Sequence, residues 1–122
     1  MKRNILVISR ENSIGHIIED NFMDSLTTVL CVRTSTHAME MIMQETYSLI
    51  ILDILIPDMD CSVLLQIIHK LSRAPILVLT KQLKNQDRIK ILNLEEDDCL
   101  VCPANTDELI VRMEACMKRG AE

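Results

Sequence analysis

The sequence predicts an α/β protein built on one doubly wound, five-stranded parallel sheet with five helices, and three observations predict it. Short aliphatic runs alternate with longer amphipathic segments five times along the chain. Two of those runs, at residues 49–53 and 76–80, are apolar on both faces, as central strands of a parallel sheet are. A length of 122 residues leaves room for one core and no second folded module.

Each element follows from local chemistry. The first strand is expected over residues 4–8, where Ile5 to Ile8 are all apolar, and a helix should begin near Ser13. A second strand over 28–32 leads to a helix starting near Thr36. The third strand, 49–53, precedes a helix near Ser62, and the fourth, 76–80, precedes one near Lys84. The fifth strand covers 99–102. After it, Asn105 is a strong helix cap, followed three residues later by Glu108 in a capping-box arrangement. Leu109, Ile110, Met113 and Met117 then form one apolar face of the last helix. No repeat and no Pro/Gly/Ser-rich linker interrupts the series. Right-handed crossovers place the helices on both faces of the sheet.

Composition removes several function classes. Hydrophobic residues make up 48% of the chain and are almost wholly aliphatic, with Trp absent and Phe22 and Tyr47 the only aromatic side chains. No apolar run approaches the roughly 20 residues needed to cross a bilayer, and no signal-peptide pattern opens the chain, so a cytoplasmic location is expected. Eighteen acids against thirteen bases give a formal charge of -5, which opposes attraction to nucleic-acid phosphates. With Gly15 and Gly120 as the two glycines, neither the dinucleotide nor the P-loop glycine pattern can be written. His16, His37 and His69 are too scattered for a close metal-binding pair, and five cysteines without a secretory signal do not indicate a disulfide framework.

Open parallel sheets gather functional groups at the carboxyl ends of their strands. Those positions are Ser9 and Arg10, Asp53, Thr80, and Cys102 with Pro103. An aspartate ending the wholly apolar run Leu49-Ile50-Ile51-Leu52 is informative, because burying charge there is costly. Taken alone, Asp53 could also be a turn or capping residue.

The ordered set of residues 5–8, 49–60 with Asp53 and Pro57, 75–80 ending in Thr80, and Asp97-Asp98 ahead of Pro103 resembles the response-regulator receiver family over residues 4 to about 119. The resemblance implies the flavodoxin-like strand order 2-1-3-4-5. It also implies that Asp53 is the phosphoacceptor position and that Thr80, with the residue at Cys99, is the switch that registers the phosphoryl group. A cis peptide is expected before Pro103.

Several positions depart from that family. Its acidic pair after the first strand, which holds Mg²⁺, is here Ser9 and Arg10, with Glu11 one step beyond. Its lysine before the proline is Cys102, its switch aromatic is Cys99, and a glycine after the third strand is Cys61. Phosphoryl transfer to a carboxylate depends on positioning and on positive charge at the phosphoryl oxygens. Asp53 should therefore be a poor acceptor. No metal or other cofactor is expected; a residual Mg²⁺ site would have to use Asp53, Glu11 and the Leu55 carbonyl. Two readings of Arg10 stand open. Its guanidinium either forms a charge-assisted bond to Asp53 in place of the metal, or points to solvent beside a decayed pocket.

Cys99 and Cys102 form a C-x-x-C, but residues three apart on a strand face opposite ways and do not converge on one atom. A thiol switch at Cys102 stays open. Cys31 and Cys116 read as small core residues. The run Asp58-x-Asp60-x-Ser62 lacks the glycine and terminal glutamate of a calcium loop, with His69 at the latter position, and reads as a turn with a helix cap.

Within the receiver family the last third is similar to the OmpR/PhoB transcription regulators, which form symmetric dimers through the fourth helix, fifth strand and fifth helix. The matching charges are Arg88 with Glu108 and Asp98 with Arg112. The resemblance then implies a non-enzymatic receiver over residues 1–119, with 120–122 opening a linker to a winged-helix DNA-binding domain outside this sequence. DNA would be contacted only through that domain. The leading expectation is an atypical receiver that controls transcription by dimerising, with weak or absent Mg²⁺-dependent phosphorylation. The alternatives are a conventional receiver phosphorylated on Asp53 by a histidine kinase, and a stand-alone protein-binding adaptor.

Overall fold

The structure is a computed structural model describing residues 3–22, 26–54, 58–80, 99–101 and 105–120. Its strands are β1 (Arg3–Ile8), β2 (Thr27–Val32), β3 (Leu49–Asp53), β4 (Ile76–Leu79) and β5 (Cys99–Val101). Its helices are α1 (Asn12–Asn21), α2 (Ser35–Gln44), α3 (Cys61–Leu71) and α4 (Thr106–Gly120). The strands form one parallel sheet in the order β2-β1-β3-β4-β5, as expected. The helix expected near Lys84 lies outside the described residues. The last helix runs one residue past the expected boundary at Arg119, through Gly120.

Alternation along the central strands sorts the core into two layers. Leu6, Ile8, Ile50, Leu52, Ile76 and Val78 pack under α2 and α3 with Ala38, Ile42, Leu64 and Ile68. Ile5, Val7, Leu49, Ile51, Leu77 and Leu79 pack under α1 and α4 with Ile14, Ile18, Leu109 and Met113. Cys116 is buried in the second layer, as the sequence suggested for a small core residue.

Helix starts are set by short polar side chains. Thr34 Oγ1 accepts the His37 N–H at 3.2 Å to open α2. Asp60 Oδ1 accepts the Ser62 N–H at 2.9 Å to open α3, so the acidic run is a cap. Asn105 Oδ1 accepts the Glu108 N–H at 2.9 Å to open α4, as its spacing predicts.

The seat of α1 depends on a glycine. A Cβ on Gly15 would lie 2.0 Å from Cys31 Sγ in β2, so only a hydrogen lets the helix come this close to the sheet. Burial and the Glu19 carboxylate push the Cys31 thiol above its ordinary pKa, which keeps it protonated and unreactive.

Candidate functional site: the carboxyl end of the sheet

β1 and β3 pair in register up to Ile8 and Leu52, so the next residues, Ser9 and Asp53, stand level at the strand ends. The Ser9 N–H still extends the ladder, donating to Val32 O at 3.0 Å. Ser9 is 3% exposed; its Oγ donates to Asp53 Oδ2 at 2.9 Å and accepts the Glu11 N–H at 3.1 Å. One hydroxyl thus holds the half-buried Asp53 carboxylate and ties down the residue that precedes α1.

Arg10 takes the opposite parity. It is exposed, and no ion pair joins it to Asp53 among the described residues. Of the two open readings of Arg10, pairing with Asp53 gives way to the guanidinium facing water, and the Ser9 hydroxyl, which neither reading named, meets the carboxylate. Strand alternation carried that signal, since Val7 and Ile51 share a layer and Ser9 and Asp53 continue it by two residues each. Glu11 is exposed as well.

On the other side of β3, Asp53 is level with Leu79, and the Ile54 N–H donates to Leu79 O at 3.0 Å. Thr80, one residue on, is 2% exposed, next to the strand that carries Asp53. With Ser13, Asn105 and Thr106 it lines a cleft of about 280 Å³ between α1 and α4. The structure thus brings Ser9, Asp53 and Thr80 to one end of the sheet. No three His, Cys, Asp or Glu side chains among the described residues come together to hold a metal ion.

A contact the sequence did not reveal ties Asp58 to the start of α2. Asp58 accepts the Ser35 N–H at 3.1 Å on each of its oxygens and the Ser35 hydroxyl at 2.7 Å. These bonds, from the Ser35 hydroxyl first and then its amide, hold the Asp58 carboxyl below the ordinary aspartate pKa. The carboxylate also meets the positive end of α2.

Other expected site residues are less fully seen. Leu55, Arg88, Asp98, Cys102 and Pro103 lie outside the described residues, and with them the expected cis peptide and the thiol at Cys102. Cys99 opens β5. Cys61 is the buried first residue of α3. On α4, Glu108 is half-buried and Arg112 exposed.

The model of the response regulator receiver domain matches residues 5–114. The chain belongs to the response regulator receiver family. Over 92 residues the chain is 36% identical to a transcriptional regulatory protein CpxR homolog of Haemophilus influenzae, covering 74% of this chain and 40% of that protein. The receiver therefore spans less than half the length of that relative. Among solved structures, a two-component response regulator from Clostridium difficile superposes with a TM-score of 0.81 at 23% identity, covering 99% of this chain and 100% of that one. A CheY-like receiver from Methanospirillum hungatei superposes at 0.78 with 21% identity, covering 99% and 98%. At such identities the superpositions establish the fold.

Proposed function

We propose that this receiver is an atypical one, in which Asp53 is held by a neutral hydroxyl and signalling does not depend on Mg²⁺-assisted phosphorylation. The observation that carries the reading is the Ser9–Asp53 hydrogen bond, at a position where the family resemblance implies an acid. Mg²⁺ favours oxygen ligands in octahedral order and carboxylates to balance its charge. Asp53 supplies one, Ser9 supplies a hydroxyl already committed to it, and Glu11 is exposed. That donor set does not fit the ion, and no cofactor or enzymatic turnover is proposed.

The output proposed is transcriptional control by a cytoplasmic protein, through a homodimer formed on the last helix and fifth strand and a DNA-binding domain beyond this sequence. The likeness to a transcriptional regulatory protein supports it, as do the exposed Arg112 and half-buried Glu108 on α4. A histidine kinase partner belongs to the second reading, a conventional receiver, which the placement of Asp53 and buried Thr80 on neighbouring strands favours.

Intact-mass measurement after incubation with acetyl phosphate and Mg²⁺ tests the choice. The atypical reading expects an unmodified chain under conditions that label a conventional receiver. A phosphoryl adduct lost on Asp53→Asn would establish the second reading.

A further inference from the structure

β2 forms one edge of the sheet and, among the described residues, pairs with β1 alone, in an unbroken parallel register from Arg3–Thr27 to Ile8–Val32. Parallel pairing turns the backbone groups of alternate residues toward the neighbouring strand. The Arg3 N–H donates to Leu26 O at 2.6 Å and the Ser9 N–H to Val32 O at 3.0 Å, so the even-numbered residues of β2 face β1. The N–H and C=O groups of Thr27, Val29 and Cys31 therefore point off the sheet. Proteins commonly blunt such an edge with lysine, proline or a bulge. β2 has none of these: its six residues are two threonines, two valines, a leucine and a cysteine, in continuous register. Leu26, just before it, is 50% exposed, Thr28 is exposed, and Val29 to Cys31 are half-buried.

Opposite charges stand at the two ends of this neutral strand. Exposed Arg33 follows it directly. At the other end lies Glu19, exposed on α1. That helix runs back along β2: Gly15 packs on Cys31, and the Phe22 ring lies 5.3 Å from the guanidinium of Arg3, which is level with Thr27. Glu19 falls between those two points, near enough for its charge to act on the Cys31 thiol. Neither Glu19 nor Arg33 forms an ion pair among the described residues.

We propose that the outer edge of β2 pairs antiparallel with β2 of a second copy of the chain about a two-fold axis, joining two five-stranded sheets into one. Edge addition of this kind draws its affinity from main-chain hydrogen bonds. Val29 of each copy stands opposite Cys31 of the other, and Thr27 opposite Arg33, so all the outward-pointing backbone groups are used. The same register carries Arg33 of each copy toward Glu19 of the other, whereas parallel pairing would set like charges side by side. A two-fold requires one surface to complement itself, and a neutral strand with one acid and one base at its two ends does so. The edge lies across the sheet from β5, so the pairing stands whether or not the last helix dimerises.

Sedimentation of the Arg112→Asp chain, which silences the last-helix face, tests it in a concentration series up to about 1 mM. Dimers should form. Amide hydrogen exchange at Val29 and Cys31 should slow as they do, while the amides of Thr28 and Leu30, turned toward β1, stay protected throughout. Arg33→Glu should weaken association several-fold with an unchanged thermal midpoint, and adding Glu19→Arg should restore it. A chain that stays monomeric, dimers without slowed exchange at Val29 and Cys31, or a charge swap that restores nothing would each overturn the proposal.

Discussion

Ser9 and Asp53, 44 residues apart in sequence, meet at the ends of neighbouring parallel strands through a 2.9 Å hydrogen bond. The same Ser9 oxygen receives the Glu11 amide, so the serine joins Asp53 to the entrance of α1. Ser9→Ala removes a buried donor and an acceptor together and should cost about 1–3 kcal/mol. Arg10→Ala, at an exposed position next door, should stay within about 0.5 kcal/mol of the parent. Urea unfolding of both variants separates the two residues' roles, and the reverse ranking would restore Arg10 as the partner of Asp53.

Gly15 and Cys31 form a steric pair. Gly15→Ala should destabilise by about 1–3 kcal/mol, because its Cβ would meet Cys31 Sγ at 2.0 Å, outweighing the roughly 1 kcal/mol that alanine gains in a helix. Cys31 Cβ lies 3.6 Å from the same point, an ordinary contact. Adding Cys31→Ala should therefore recover most of the loss, and a double-mutant cycle should show strong coupling. Additive effects would exclude the clash.

The Asp58–Ser35 clasp predicts an acid-sensitive contribution. Asp58 has a lowered pKa in the folded state, so its stabilisation is present above the ordinary aspartate value, about 4, and is lost as pH falls through the lowered value. Asp58→Asn cannot titrate. The stability difference between the parent and this variant should be constant near neutrality and shrink below about pH 4. Chemical denaturation across that window checks it, and a pH-independent difference would count against the clasp.

The output surface makes its own prediction. Arg112 is exposed on α4, so Arg112→Asp should leave the fold intact while weakening self-association. Sedimentation over a range of concentrations measures this. A strictly monomeric parent, or a variant that associates as well, would contradict dimerisation through this face.

Much of the fold was legible because its signals are local. Continuous aliphatic runs gave β3 to the residue, and Asn105 with Glu108 marked the start of α4. Helices α2 and α3 begin one residue before the expected Thr36 and Ser62, since Thr34 and Asp60, two residues upstream of those positions, serve as the caps. At the site, the sequence placed Ser9, Asp53 and Thr80 correctly at the strand ends. It left the pairing of Arg10 open and did not name Ser9 as a partner of Asp53, because charge draws attention to Arg10 while strand parity, which brings Ser9 to the carboxylate, shows only once the backbone ladder is seen to continue through Ser9. The Gly15–Cys31 contact and the Asp58–Ser35 clasp join residues 16 and 23 positions apart, and such pairings arise only once strands and helices are set against one another.

The most direct measurement is a Mg²⁺ titration followed by the backbone amides of Ser9, Asp53 and Ile54. The account predicts no saturable shift for the parent chain, and saturable binding once Ser9→Asp and Arg10→Asp together restore an acidic pair beside Asp53. Saturable Mg²⁺ binding to the parent at these amides would contradict it.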